Sequence, residues 1–289
     1  MKRVLILFVV FYLKIFSLEI VGDYVVGEKG EKVKLKEYNR ILIYNFGAVE
    51  IFYKIDAEKK IVAIGNHSKA IWPEEKTKLL PLAGPISKPS LETILSYNPD
   101  LVIFNVMGEV KNGLDKFNIP SITFVNRSLD DILKNIDILG KLTGREKESL
   151  NLIHELEIKR EYIKENFSLT GKALVLYSDS PPTSFDKNSL PVEVLETLGL
   201  KVIQPKLGKK SIISSEYILN ENPDYIIGTR GVKSIDGVVK SIPLIEETKA
   251  FKNKDIYVID SSEILRASHR VFDEIEKIYF ELKKEKNQK

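Results

Sequence analysis

Residues 90–103, SLETILSYNPDLVI, show the pattern of a short amphipathic helix, an Asn-Pro-Asp stop and a buried strand. Residues 214–227, SSEYILNENPDYII, repeat this pattern 124 residues later, with 8 of 14 positions identical. An acid, Glu92 or Glu216, stands at the same place in each copy. The repeated helix–turn–strand unit predicts two lobes that are built from the same kind of α/β unit.

The segments around both copies extend this pattern. Apolar runs that alternate with helical patterns predict mostly parallel sheets covered on both faces. In detail, we predict a strand over 79–83 and a helix over about 241–250. Residues 145–167 contain no Gly or Pro and carry an apolar stripe at helical spacing, which predicts one helix of roughly 35 Å.

The predicted fold class is therefore α/β, with two Rossmann-like lobes of mostly parallel sheets joined by a single long α-helix. The predicted boundaries are a signal peptide over 1–17, an N-terminal lobe over 18–144, the inter-lobe helix over 145–168 and a C-terminal lobe over 169–289.

Residues 1–17 have a basic start, an apolar run and a small residue, Ser17, at the end, which is typical of a secretory signal. A membrane anchor is the alternative, but the uncharged run from Val4 to Leu13 is far shorter than the roughly 20 residues that span a bilayer. The chain has no cysteine, so it needs no disulfide, and it cannot carry the lipidated N-terminal cysteine that tethers many exported binding proteins. We expect cleavage near Ser17–Leu18 and a free periplasmic protein.

Composition and motifs exclude several function classes. Of 44 basic residues three lie in 1–17, which leaves a balance with 41 acidic residues and predicts no nucleic-acid partner. GxGxxG, GxxxxGK[ST], GxSxG and HExxH are absent, so the sequence predicts no catalytic residues, no metal site and no cofactor. Two lobes without a catalytic motif predict a monomer that binds a small molecule between the lobes.

Several segments resemble a known family. RILIYNFGAVEIFYKIDAEKKIVAIGNHSKAIWPEE, LPLAGPISKPSLETILSYNPDLVIF and FKNKDIYVIDSSEILRASHRVFDEI are similar, in order and spacing, to the substrate-binding proteins of iron-complex ABC importers. The resemblance covers about residues 38–282. It implies a ligand such as a ferric siderophore, haem or cobalamin, and an inner-membrane permease with its ATPase as partner. It also implies that the single helix between the lobes keeps opening and closing small.

In this family each lobe presents an acid to arginines of the permease, and the resemblance places those acids at Glu92 and Glu216. The alternative is structural, because an acid in the first turn of a helix is favoured by the helix dipole. The family's G-P-R near the C-terminus is replaced here by residues 267–270, Ala-Ser-His-Arg. This departure places a histidine near the expected ligand, so the family's ligands cannot simply be carried over.

The carboxyl ends of parallel strands are where ligands gather in such sheets. An anionic iron complex would favour arginine, while histidine or tyrosine could ligate iron and Phe46 could stack on a flat ligand. For each of these residues an ordinary surface role is the alternative. The predicted ligand-binding residues are Asn45, Phe46, His67, Asn105, Tyr177, Arg230, Arg266, His269 and Arg270.

Two other function classes stay open from the sequence. One is a binding protein of the same fold for a bare metal ion or an oxyanion such as molybdate, which would need a small, dry cleft with backbone N–H donors. The other is an exported enzyme built on paired α/β lobes, which would need a catalytic constellation.

Overall fold

The computed structural model describes residues 18–204 and 212–284. The segment predicted as a signal peptide, 1–17, lies outside the described residues. The described chain opens with a three-stranded antiparallel sheet that the sequence pattern did not predict. Its strands are β1 (Glu19–Val21), β2 (Tyr24–Val26) and β3 (Lys32–Lys34).

The first lobe contains a five-stranded sheet in which every pairing is parallel, in the order β6-β5-β4-β7-β8. Its strands are β4 (Ile41–Ile43), β5 (Ile61–Asn66), β6 (Leu82–Pro85), β7 (Leu101–Phe104) and β8 (Ser121–Thr123). Its helices are α1 (Phe46–Lys54), α2 (Glu74–Thr77), α3 (Leu91–Ser96), α4 (Val110–Lys116) and α5 (Leu129–Thr143). The central strands β4 and β7 are buried along their whole length, as predicted for a sheet covered on both faces.

The second lobe repeats this plan around β9, which pairs in parallel with β11 and β12, while β12 pairs in parallel with β13. Only β10 is antiparallel in the described part of this sheet. The strands are β9 (Lys172–Asp179), β10 (Pro182–Ser184), β11 (Lys201–Val202), β12 (Tyr225–Gly231) and β13 (Ile256–Val258). The helices are α7 (Leu190–Thr197), α8 (Ser215–Glu221), α9 (Ile235–Ser241), α10 (Lys249–Lys252), α11 (Ser262–Arg266) and α12 (Val271–Lys284).

The two copies of the repeat form the same local structure. Ser90 and Ser214 cap α3 and α8 by accepting a hydrogen bond from the backbone N–H three residues ahead. Asn98 and Asn222 follow the helices in the left-handed conformation, both with φ of 46°. Asparagine tolerates this conformation better than most residues, and the proline that follows cannot continue the helix.

The aspartate of each copy joins two neighbouring strands. Asp100 accepts hydrogen bonds from the backbone N–H groups of Asn39 and Arg40, just before β4. Asp224 accepts one from the backbone N–H of Lys172, the first residue of β9. Because β7 and β12 begin directly after these aspartates, each copy starts a strand and also fixes the start of the strand beside it.

The predicted inter-lobe helix is α6 (Glu146–Asn166), whose 21 residues span about 31 Å at 1.5 Å per residue. Leu152, Leu156 and Ile163 are buried, as their spacing predicted. The helix packs against α5 of the first lobe and α12 of the second. One buried hydrophobic cluster continues through both lobes, so they share a core as well as a helix.

Two predicted elements differ in the structure. The strand expected over 79–83 is β6, which begins only at Leu82, because residues before Pro81 form the turn that follows α2. The helix expected over about 241–250 is broken: α9 ends at Ser241, and a short 3₁₀ turn, Ile245–Glu247, precedes α10. Pro243 explains the break, since proline lacks the N–H that an α-helix needs.

Candidate functional site

A cavity of about 630 Å³ opens between the two lobes. Its lining residues follow β4, β5, β6 and β7 in the first lobe and belong to the ends of β12 and β13 and to α11 in the second. This is the edge at which open α/β sheets bind their ligands. The position predicted from the strand ends is therefore the position of the cavity.

Six of the nine residues predicted from the sequence come together around this cavity. They are Asn45, Phe46, His67, Asn105, Arg230 and Arg266. Asn45 is buried and has a structural task as well, because its side-chain oxygen caps α1 and its amide donates to the carbonyl of Phe124.

His67 is held in a defined orientation at the cavity wall. Its Nδ1 lies 3.1 Å from the carbonyl oxygen of Lys69, which can only accept a hydrogen bond. In the neutral ring Nδ1 therefore carries the proton, and Nε2 keeps a lone pair that can bind a metal or accept a hydrogen bond. The ring of Phe46 meets His67 edge to face, with 5.9 Å between the centroids.

A buried acid, Glu50 of α1, ties the second lobe to the first directly below the cavity. Its side chain is 0% exposed. The carboxylate accepts hydrogen bonds from the Arg266 guanidinium at 2.7 Å, from the Ser268 hydroxyl and from the backbone N–H of Trp72. Arg266 also donates to the carbonyl of Ala70 at 2.7 Å. A buried carboxylate needs several such donors, because burial without them would cost several kcal/mol.

The predicted arginines therefore differ in their surroundings. Arg266 lines the cavity, but Glu50 and Glu263 neutralise its charge. Arg270 does not line the cavity and pairs with Glu263 at 3.0 Å. Arg230 is exposed at the end of β12, and within residues 18–204 and 212–284 its guanidinium has no ion-pair partner. Of the three, Arg230 is the one free to meet an anion.

Tyr177 and His269 also lie outside the cavity lining. The Tyr177 ring packs edge to face on Phe185, at 5.4 Å between centroids. His269 is only 7% exposed and packs against Trp72 at 5.4 Å between centroids, which joins the second lobe to the first. Burial, with smaller effects of the cations Lys54 and Arg270, lowers the pKa of His269 to about 4. At neutral pH this histidine is therefore an uncharged packing residue.

Sequence reasoning missed other parts of the wall. Lys69 reaches across from the first lobe to Ser262 and Asp260 of the second, and all three line the cavity. Glu50 was missed too, although its sequence context contained a signal: it is the one acid in the apolar run AVEIFY. An acid at that place in a buried helix needs a partner, but the sequence does not show which one.

Glu92 and Glu216 do not line the cavity; they belong to α3 and α8. Each is the second residue of its helix, α3 or α8, and each is exposed. The isoleucines two residues later, Ile94 and Ile218, are buried in both lobes. The two acids therefore occupy equivalent outward-facing places, as the repeat predicted.

Residues 18–204 and 212–284 hold no group of three or more His, Cys, Asp or Glu side chains that could bind a metal ion. No helix in the same ranges combines the length and the apolar character that crossing a bilayer requires.

Residues 41–263 match the family model described as periplasmic binding protein. The chain belongs to the periplasmic binding protein family. This confirms the family that the sequence motifs resembled, and the matched range runs from β4 in the first lobe to α11 in the second.

Relatives of this binding protein are named for different ligands. The ferric-anguibactin-binding protein of Vibrio anguillarum is 26% identical over 62% of this chain and 61% of its own length. The vitamin B12-binding protein of Vibrio vulnificus is 24% identical over 80% of this chain and 85% of its own. Among solved structures, the periplasmic haem-binding protein of Roseiflexus sp. RS-1 superposes with a TM-score of 0.71 at 21% identity, covering 86% of this chain and 98% of that one. At this identity the superposition supports the fold alone.

The burial of His269 predicts a pH dependence of stability for this binding protein. Between its ordinary pKa of 6.5 and the folded value of about 4, the unfolded chain binds a proton that the folded protein does not. The free energy of unfolding should therefore decrease as the pH falls through this window, by up to roughly 3 kcal/mol from this residue.

Urea denaturation at several pH values checks this. His269→Gln should flatten the dependence between pH 6.5 and 4, while His154→Gln, on the exposed face of α6, should leave it unchanged. If the free energy of unfolding depends on pH equally in the wild-type and His269→Gln proteins, His269 takes up its proton in the folded protein as readily as in the unfolded chain, which would contradict the prediction.

Proposed function

We propose that this binding protein captures an iron complex, a ferric siderophore or haem, in the cavity between its lobes and delivers it to an inner-membrane ABC permease with its ATPase. The observation that carries the proposal is the combination at the cavity wall of a cation, Arg230, without an ion-pair partner among the described residues, an oriented histidine, His67, and an aromatic ring, Phe46. A flat or chelated anionic ligand can use all three kinds of contact at once.

The size of the cavity favours a whole organic ligand over a bare ion. Pockets for small molecules and cofactors occupy about 300–1,000 Å³, and the cavity of about 630 Å³ lies within that range. A metal ion or an oxyanion such as molybdate would leave most of this volume to water. Cobalamin stays the main alternative, since one relative is named a vitamin B12-binding protein. An exported enzyme on this fold is less favoured, because the relatives are named for binding.

We also propose that the protein is exported through its N-terminal segment, 1–17, and acts in the periplasm. The family description and the pattern of that segment support this location. N-terminal sequencing of protein recovered from the periplasm should find Leu18 near the start.

The first of two predictions from the proposed capture and delivery concerns Arg230. A charge-assisted hydrogen bond contributes about 1.5–3 kcal/mol, so Arg230→Ala should weaken the binding of haem or a ferric siderophore by about ten- to a hundredfold. Lys233→Ala is the matched control, because it removes an exposed cation just after β12, three residues away and outside the cavity lining. Quenching of Trp72, the single tryptophan of the chain, reports the affinity. Equal affinities of all three proteins would contradict an anionic ligand at Arg230.

The second prediction concerns delivery. If Glu92 and Glu216 meet arginines of the permease, replacing both by alanine should nearly abolish uptake in cells while ligand affinity and stability stay unchanged. Glu75→Ala, another exposed acid in the first turn of a short helix, should leave uptake intact. Raised salt should mimic the loss, since exposed ion pairs are screened. Normal uptake by the double variant with a working permease would rule out docking through these acids.

A further inference from the structure

A second tie between the lobes lies at the rim of the cavity, and it differs from the buried one at Glu50. The Lys69 ammonium, just after β5, donates to the Ser262 hydroxyl and lies 3.7 Å from Asp260 Oδ1. All three residues line the cavity. The side chains of Lys69 and Asp260 are 68% and 78% exposed, so this bridge crosses between the lobes where the cavity meets solvent.

The two ends of the bridge are held unequally. Asp260 Oδ1 accepts hydrogen bonds from the backbone N–H of Ser262 at 2.9 Å and from its hydroxyl. These bonds, and more weakly Lys69, hold the pKa of Asp260 below its usual value. Asp260 is therefore ionised and oriented by its own loop. The contacts of the Lys69 ammonium within residues 18–204 and 212–284 are to Ser262 and Asp260, so it can leave without unpairing a buried group.

The relative strengths of the two interactions favour the release of the Lys69 ammonium from Asp260 when an anion binds. An exposed ion pair adds little to stability, because water and salt screen it and two side chains lose freedom. A charge-assisted hydrogen bond to a ligand that displaces water from the cavity is stronger. An anion that enters the cavity can therefore take Lys69 from Asp260, whereas it could not take Arg266 from the buried Glu50.

We propose that Asp260 occupies, in the free protein, the place at Lys69 that an anionic group of the ligand takes on binding. Lys69 is thus a specificity-determining cation of the cavity, and Asp260 is its internal competitor. With Arg230 on the second lobe and Lys69 on the first, each lobe offers the cavity a cation that, within residues 18–204 and 212–284, pairs with no buried carboxylate, unlike Arg266. This arrangement fits a ligand with separated anionic groups, and the inference rests on the proposed function in requiring an anionic iron complex.

Haem, which carries two carboxylates, is the probe for the test. Asp260→Asn removes the competing charge but keeps an oxygen that can accept from Ser262, and should tighten haem binding about two- to fivefold. Lys69→Met should weaken it about tenfold or more. In the Lys69→Met background, Asp260→Asn should gain much less than it does alone, because the competition needs the lysine. Glu246→Gln, an exposed acid outside the cavity lining, is the control for charge alone.

A measurement without ligand tests the bridge itself. In carboxyl-detected NMR of the free protein, Lys69→Met should raise the pKa of Asp260, and an unchanged pKa would overturn the inference. If haem binds the wild-type protein and neither variant changes its affinity, the inference is wrong while the proposed function stands. If haem binds neither the wild-type nor the Asp260→Asn protein and cyanocobalamin binds both equally, the proposed ligand class is wrong and the inference is overturned with it.

Discussion

The buried carboxylate of Glu50 is the interaction on which the geometry of the cavity depends. It belongs to the first lobe, yet its guanidinium and hydroxyl donors, Arg266 and Ser268, come from the second. The backbone approaches so closely here that a Cβ at Gly47 would lie 2.2 Å from the carbonyl oxygen of Arg266. Only glycine fits at that position. Because the Glu50 side chain is fully buried, removing the Arg266 guanidinium would leave its carboxylate, among the described cations, only the longer contact of 3.6 Å to Arg270, and breaking such a buried pair typically costs about 3–5 kcal/mol.

This tie, the shared core and α6 make the two lobes one frame, and the functional groups sit on its edges. Glu50 holds Arg266 of α11 against the first lobe, so Arg230 of the second lobe and His67 of the first line one cavity. The weak bridge of Lys69 lies at the rim, where side chains can exchange partners at little cost. Permanent contacts are buried and exchangeable contacts are exposed, which suits a protein that must bind and release its cargo.

Much of the fold could be predicted because its signals are local. The serine cap, the left-handed asparagine, the proline and the strand-joining aspartate lie within eleven residues of one another in each repeat. Parallel sheets then place strand ends at one edge, which locates the cavity. The strands β1 to β3 were missed because glycines and charged residues interrupt the sequence there, whereas β4, β8 and β13, although equally short, lie within longer apolar runs. The partners of Arg266 and the burial of His269 could not be predicted, since Glu50 lies 216 residues from Arg266 and only the folded chain brings them together.

The central claim is that the lobes form a rigid frame around a preformed cavity, and the distance between them tests it most directly. The chain has no cysteine, so spin labels on Glu92→Cys and Glu216→Cys would report one distance between the outer surfaces of the lobes. Double electron–electron resonance should find a single narrow distribution that shifts by less than about 2 Å when haem is added, and Glu50→Ala should broaden it. Two populations in the wild-type protein, or a shift of more than about 5 Å on binding, would mean a hinged closure and would contradict the account.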